Sequence, residues 1–520
     1  RFVRPLYIVE DGNLTIQPGM IEKIQQQKLK WDDLLIGFHK RKKEFNYFDP
    51  DMYDFTNLEL ITHKEDTMED ILKMLHSKQA VIEYLDAEEL NSRLLSQHLN
   101  LKQPFEVPLQ YTHCEIHPSM FLGSSAFILP FTQHNQAARN SLALAQSKQA
   151  IGVFSTNFNE RIDTTSHILH NPETPLTQTR MTKYLNYDTM VTGQNITVAV
   201  TVYNGYNQED AIIGNKKSLD MGLFNTTLFK RYMDHEETEE KTEIKSRFYN
   251  PYSEAIILED EVPDSIIKSN YNYDKLDDNG FIKENSIIEE GDVIICKYFK
   301  MKDDKGYIIY KDASTIAKKD HYGSMVDKVF CCTTNINKDR LVKIRLAQYR
   351  KPIIGDKFAS RCGQKGTFGL ILPAEDMPYS PEGIIPDMIL NPYGYPKRMT
   401  IAQFMEILMS RLCLEMGFYG LASPFEPINP ETIGEILQSI GLNKYCDTTL
   451  YDGVQGRMMD VLVFTGPIYY QRLKHMVQDK INARSQGHRI DGIPEPGGSY
   501  QVITRQTMSG RAMGGGLRIG

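Results

Sequence analysis

The densest concentration of reactive residue types is the segment Gly355-Asp356-Lys357-Phe358-Ala359-Ser360-Arg361-Cys362-Gly363-Gln364-Lys365-Gly366-Thr367-Phe368-Gly369. Glycines let backbone amides come close to an anion, and Lys357, Arg361 and Lys365 place three cations within nine residues, the charge that phosphate oxygens require. The pattern reads as a phosphate-binding loop or as a solvated turn carrying surface lysines. It is not a Walker A cradle, because no Gly-Lys dipeptide occurs in the sequence. Glu209-Asp210 is a carboxylate pair that suits a hard divalent cation taking its remaining ligands from phosphate and water, or a plain loop surface. Arg139, with Lys148-Gln149 shortly after it, and Arg398, just ahead of a predicted helix, fit either a bidentate grip on phosphate or a structural pairing with an acidic loop. From Gly466 onward Arg472, Lys474, Lys480, Arg484, Arg489, Arg505, Arg511 and Arg518 face only Asp479, Asp491 and Glu495, a basic stripe of the kind that binds a nucleic-acid backbone.

These groups need elements to position them. Ile196 to Tyr203 is β-branched and long enough for a buried strand, and the loop Asn204 to Asp210 follows it. Thr400 is placed as the N-cap of a helix on which Ile401, Phe404, Met405, Leu408 and Leu412 recur at helical spacing. A second helix is expected from about Tyr469 to Ser485, with Leu473, Met476, Val477 and Ile481 on one face and Arg472, His475, Asp479 and Asn482 opposite.

The 520 residues are 41% hydrophobic and 24% charged, an ordinary globular composition with room for about three or four domains. A formal charge of −8 argues against a blanket polyanion binder but leaves room for local basic stripes. Apolar runs such as Ala126 to Phe131 fall short of the roughly 18 residues of a membrane span, so no membrane partner is expected. Cys114, Cys296, Cys331, Cys332, Cys362, Cys413 and Cys446 are scattered and never spaced C-x-x-C, which fits free thiols and gives no zinc framework. An opening Arg1 and an end at Gly520 inside a glycine-rich run read as a piece of a longer polypeptide.

Composition divides the chain further. Residues 1–117 are mixed, with an amphipathic middle from Trp31 to Lys43 and an acidic patch from Asp51 to Asp70, and carry no catalytic motif. Residues 118–223 are rich in Asn, Gln, Gly and short β-runs. Residues 224–345 turn acidic, with hairpin-like breaks at Asp278-Asn279-Gly280 and Asp303-Asp304-Lys305-Gly306, and read as a β-rich insertion. Residues 346–520 resume the earlier basic character. The expected fold is α+β, mainly β and multidomain, with one domain interrupted by the insertion.

Taken together, Asn135-Gln136, Arg139-Asn140, Lys148-Gln149, Gly205 to Ala211, the Gly355 to Gly369 loop, Arg398-Met399-Thr400, Tyr470 to Lys480, and Thr504-Arg505-Gln506 with Gly515 to Arg518 resemble the second-largest subunit of multisubunit DNA-directed RNA polymerases. The eukaryotic or large-DNA-virus branch is most similar, the motifs keep the family's order, and Tyr111 to Met120 extends the resemblance toward the start. The resemblance implies an external region (1–117), a hybrid-binding domain in two parts (118–223 and 346–520) and a wall (224–345). It implies that Arg139, Lys365 and Arg398 bind the incoming nucleoside triphosphate and that Lys357 and Lys365 bind RNA 3′-end phosphates. Gln136, Lys148, Gln149, Arg361, Gln364, Arg472, Lys474 and His475 would touch nucleic acid, and Glu209 with Asp210 would hold a second, nucleotide-borne Mg²⁺. The implied partners are the largest subunit, smaller assembly subunits, template DNA and nascent RNA; the implied location is the nucleus if cellular, and the host cytoplasm and virion if viral. The family's protrusion, lobe, fork and C-terminal clamp, with its zinc site, have no counterpart in these residues. Leu142 stands where the family often has an aromatic, and Cys362 where a His usually follows the loop arginine.

A nucleotidyl-transfer site needs two metals about 4 Å apart held by several carboxylates. This sequence offers Glu209-Asp210 and no Asp-x-Asp-x-Asp cluster, so the primary metal is expected from another chain, which the resemblance identifies as the largest subunit. Two other readings compete. A nucleic-acid scaffold that lost its chemistry would have no reason to keep Arg139, Asp210, Lys357, Lys365 and Arg398 together, and a stand-alone phosphate-binding enzyme lacks a nucleophile-and-base arrangement.

Overall fold

The computed structural model describes residues 2–5, 7–10, 13–16, 83–96, 113–115, 117–239, 244–253, 266–302, 307–333, 339–484, 489–490, 493–494, 500–501, 503–511 and 514–520. The segments Trp31 to Lys43, Asp51 to Asp70, Asp303 to Gly306 and Tyr111-Thr112 lie outside them. The chain forms two compact units, 1–124 and 125–520, and is mainly β with few helices. In the first unit the strands Glu83–Tyr84, Phe2–Pro5, His113–Glu115 and Leu95–Ser96 form a small sheet in that order.

Two sheets organise the second unit. The strands of these two sheets are β1 (Thr165–Leu169), β2 (Gln194–Val200), β3 (Ala211–Asn215), β4 (Thr226–His235), β5 (Met325–Thr333), β6 (Arg340–Arg350), β7 (Lys357–Ser360), β8 (Lys365–Leu372), β9 (Met388–Leu390), β10 (Asp447–Tyr451) and β11 (Met458–Arg472). Six of them pair in the order β7-β8-β3-β9-β2-β11, and β11 pairs back onto β7. The sheet therefore closes into a barrel, which leaves no open edge along this stretch. Every barrel strand contributes to its interior: Ile196, Val198, Ile212, Phe358, Phe368, Met388, Leu390, Ile468 and Tyr470 lie in one buried cluster. β10 extends the sheet beyond the barrel, on the first half of β11.

The helix expected from Tyr469 to Ser485 does not form. Residues up to Arg472 belong to β11, and the helix that follows is only Val477–Lys480. β11 pairs with β2 on one side and β7 on the other, so every residue from 466 to 472 is buried. Burial on both faces erases the alternation that distinguishes strand from helix in a sequence, and only β-favouring Tyr469 and Tyr470 hinted at the outcome. The strand expected at Ile196 to Tyr203 is present as β2, and the loop after it reaches Asp210.

The segment between β4 and β6 has its own core. β5, β6, β4 and β1 form a four-stranded sheet in that order, and Tyr232, Phe248, Phe281, Ile288, Ile295, Val326, Val342 and Ile344 pack within one cluster. β4 and β6 pair along ten residues and carry the chain out of the barrel and back.

Of the helices, α1 (Ala137–Ser147), α2 (Gly394–Arg398) and α3 (Ile401–Met416) matter for the site. α3 packs on β11 and is buried on nearly all sides, including Gln403 and Glu406. Thr400 occupies its N-cap position but does not cap; Ala402 N donates instead to Asn135 Oδ1 at 3.2 Å, which ties α3 to the turn ahead of α1. Gly417 ends α3 at φ +71°, its N–H donating to Cys413 O.

His321 gives the fold a pH dependence. It is buried, its Nδ1 is 2.7 Å from Tyr232 Oη, and burial with the nearby Lys230 and Lys318 lowers its pKa to about 4. An unfolded imidazole titrates near 6.5, so between these values only the unfolded chain takes up the proton and stability falls as pH drops. The loss attributable to this residue is expected to reach roughly 3 kcal/mol by pH 4. Urea unfolding from pH 7 to pH 4 should show a shallower slope for His321→Gln, which retains a polar partner for Tyr232.

Candidate functional site

β2 and β9 run parallel and end together, Val200 level with Leu390; β3 and β8 run parallel and begin together, Ala211 level with Thr367. Antiparallel pairing of β3 with β9 brings those ends and beginnings to one rim of the barrel. Three connections emerge there: residues 201–210, the turn 361–364 and residues 391–398.

The first is built around Asn207, which is fully buried and donates to Thr201 O at 2.7 Å while its Oδ1 accepts from Tyr203 N. The loop ends in two consecutive left-handed residues, Glu209 at φ +51° and Asp210 at φ +69°. Non-glycine residues adopt this conformation rarely, and here Thr367 N holds Asp210 O at 3.2 Å. Gly366 makes that approach possible, since a Cβ there would lie 2.7 Å from Asp210 O.

The second is a tight hairpin turn, with Ser360 N donating to Gln364 O at 2.9 Å. Lys357 stands level with Thr367 and Ala359 with Lys365, so both lysines project from one face while Phe358 and Phe368 fill the barrel. Gly363, at φ +77°, leaves room for Arg139 O, which a Cβ would meet at 2.5 Å. Gln364 is buried and donates to Gly394 O and to Thr400 Oγ1 at 3.1 and 2.8 Å.

The third carries Arg398 at the end of α2. Its Nη2 lies 2.5 Å from Asp210 Oδ2 and its Nη1 donates to Gln364 Oε1. Arg139, on α1, donates from Nη1 to Gly363 O at 3.3 Å. Burial and the adjacent Arg398 lower its pKa, while Asp210 acts in the opposite direction, so the three charges share one field. Gln136 and Glu209 are exposed beside this set.

A second cluster lies along the β7–β11 seam. Leu473 N donates to Lys357 O and Lys474 N to Gln149 O, at 2.9 and 3.0 Å. His475 Nε2 is 2.9 Å from Gln149 Oε1, and its pKa is lowered by burial and by Lys480, Lys357, Lys474 and Lys365, which keeps the ring neutral among cations. A cleft of about 420 Å³ lined by Lys148, Gln149, Lys474, Arg161 and His167 adjoins it.

Two expected nucleic-acid contacts are corrected by burial. Arg361 is 3% exposed and turned inward, with Nη2 on Glu406 Oε1 at 2.6 Å and on Thr177 Oγ1 at 2.7 Å. Arg472 is 1% exposed; Nη1 donates to Phe224 O, Thr226 Oγ1 and Arg350 O, and Nη2 to Asp356 Oδ2 at 2.7 Å. Neither guanidinium reaches solvent, so neither can meet a phosphate in this conformation. Arg472 instead fastens the beginning of β4 and the end of β6 to the barrel. Gln364 likewise acts on Arg398 from beneath. Cys362 is fully buried against α3 and its thiol pKa is pushed well up by burial, whereas Leu142 is exposed on α1.

The roles of Glu406 and Asp356 were not anticipated, and Thr400 was placed only as a helix cap. Glu406 had only a local signal, an acid set between Met405 and Ile407 in a predicted helix and off its apolar stripe. Asp356 had none, because its partner lies 116 residues away. Among the described residues no group of three or more His, Cys, Asp and Glu could hold a metal ion. Asp210 with Glu209 therefore fits a cation that brings other ligands with it, such as Mg²⁺ on a triphosphate.

The profile of the family described as RNA polymerase Rpb2, domain 6 matches residues 125–513. DNA-directed RNA polymerase II subunit RPB2 of Encephalitozoon cuniculi is 35% identical over 529 residues, covering 99% of this chain and 40% of that protein. DNA-directed RNA polymerase II subunit 2 of Arabidopsis thaliana is 38% identical over 533 residues, covering 100% and 40%. DNA-directed RNA polymerase subunit 2 of Acanthamoeba polyphaga mimivirus is 34% identical over 530 residues, again covering 100% and 40%. The chain thus spans about two-fifths of the length of these relatives.

Burial predicts different consequences for neighbouring cations. Arg361→Leu and Arg472→Leu strand Glu406 and Asp356 as unpaired buried charges and are each expected to cost about 3–5 kcal/mol. Lys474→Ala, at an exposed position, is expected to stay within about 0.5 kcal/mol. Urea midpoints of the three variants check this.

Proposed function

We propose that this chain, which belongs to the RNA polymerase Rpb2, domain 6 family, forms one half of a nucleotidyl-transfer centre that extends RNA on a DNA template. The observation that carries the reading is the gathering of Arg139, Asp210 and Arg398 on one barrel rim, with Lys357, Lys365, Lys474 and His475 beside them. A set of this kind grips a triphosphate at one end and the sugar–phosphate backbone of a growing strand at the other.

In this reading Arg398 and Arg139 hold the triphosphate oxygens, with Lys365 between them and the RNA 3′ end and Lys357 on the 3′-end phosphates. Arginine's planar fork suits bidentate phosphate contact, and charge placed in advance stabilises the pentacovalent phosphorus without reorganisation. Asp210, with Glu209, would hold a second Mg²⁺ delivered with the nucleotide, and that ion would supply neutralising charge at the phosphates. The primary ion and its carboxylates come from the largest subunit. Gln149 orients His475, and both touch RNA as neutral hydrogen-bonding groups, while Lys148 and Lys474 supply charge to its backbone and Gln136 lies at the edge of the path. Residues 118–223 and 346–520 form the hybrid-binding domain, 224–345 the wall and 1–117 an external region. Smaller subunits complete the assembly, in the nucleus for a cellular enzyme and in the host cytoplasm and virion for a viral one.

Single-nucleotide incorporation by the assembled enzyme tests this. Arg398→Ala and Lys365→Ala are each expected to lower kcat/KM by about 2–4 kcal/mol of transition-state stabilisation, with Arg398→Lys recovering only part. A loss below about threefold in both alanine variants would reduce these residues to solvated surface. Lys474→Ala is expected to shorten elongation-complex lifetime equally on different templates, more at low salt than at high salt, because backbone contacts carry charge and no sequence.

A further inference from the structure

Arg398 and Asp210 are each other's partner, at 2.5 Å, although the reading above gives them different ligands. A carboxylate oxygen occupied by a guanidinium has no lone pair to offer a hard cation in that direction. A guanidinium edge whose N–H groups already donate to carboxylate and amide oxygens has no N–H left on that edge for phosphate. From this juxtaposition we propose that the Arg398–Asp210 pair is a latch, opened by a single exchange in which a divalent cation takes Asp210 and the triphosphate it accompanies takes Arg398. Metal alone or triphosphate alone must compete with the pair for one of its members. The inference rests on the functional reading above and adds to it the order in which the site accepts its ligands.

Three features make the pair exchangeable. Its side chains are 23% and 40% exposed, in the range where ion pairs are weak and water can compete. The Arg361–Glu406 pair, at 2% and 0%, has no such access. The backbones on both sides are held: Asp210 by its contact from Thr367, and Arg398 at the end of α2, whose next residue, Met399, turns left-handed at φ +53°. Only the side chains need to move. Gln364, anchored by Thr400 and Gly394, keeps one nitrogen of Arg398 while the other is released, so the guanidinium pivots and is not lost to solvent.

Equilibrium binding to the assembled polymerase tests the latch, with Mn²⁺ followed by electron paramagnetic resonance and inorganic triphosphate as the anion. Sites on other chains cancel between variants. Without triphosphate, Arg398→Ala and Arg398→Lys are each expected to bind Mn²⁺ about fivefold more tightly than wild type, a gain that Asp210→Asn abolishes. Lysine keeps the charge but cannot span both partners, so a gain confined to Arg398→Ala would make the effect plain charge repulsion and overturn the latch. In chelator, Asp210→Asn is expected to bind triphosphate about fivefold more tightly, and this gain should vanish in the Arg398→Ala background. Unchanged Mn²⁺ affinity in both Arg398 variants, alongside weakened binding of the Mn²⁺–triphosphate complex, would sink the latch and leave the functional reading standing. If neither Arg398→Ala nor Asp210→Asn alters binding of that complex, the functional reading fails and the latch fails with it.

Discussion

Closure of the barrel by β11 defines the rim on which the candidate site is built. One strand pairs with β2 through Gln194 and with β7 through Ser360, and Tyr470 stands level with both. Without that double pairing the sheet would keep two open edges, and the rim where residues 201–210, 361–364 and 391–398 meet would not be defined. Closure also explains why so many polar groups near the rim are satisfied by neighbours far along the chain. Each strand end is adjacent to strands from the other half of the sequence.

Depth sorts the arginines into two kinds. Arg361, Arg472 and Arg350 lie inside, paired with Glu406, Asp356 and Asp479; Arg472 also binds the carbonyl oxygens of Phe224 and Arg350, and Arg361 that of Thr177. An uncompensated charge there would be severely penalised, so these residues specify how the segments meet. Arg398 and Arg139 lie at partial depth, where a guanidinium keeps its orientation but can still change partners. Asp210 has the same intermediate character, and the left-handed backbone beneath it keeps the carboxylate on the rim whatever the side chain binds.

The lysines differ again. Lys357 and Lys365 share a face of the β7–β8 hairpin because strand alternation puts them there, and burial, followed by their field with that of Lys474 and Lys480, lowers the pKa of His475. A neutral imidazole bonded to Gln149 is a hydrogen-bonding group set among charges.

Much of this was readable from residue types and order. The glycine- and cation-rich loop, the acidic pair after a buried strand, the α3 periodicity and the family resemblance all followed from short-range patterns, which composition and spacing encode directly. The strand-to-loop passage from Ile196 to Asp210 was legible for the same reason. What stayed hidden depended on contacts between distant segments. Arg361 and Arg472 look like any other members of a basic stripe until Glu406 and Asp356 are brought against them. Tyr469 to Arg472 look helical until two neighbouring strands bury both faces. Whether a given cation faces phosphate or a buried carboxylate is settled by desolvation, a property of the folded surroundings that no local pattern carries.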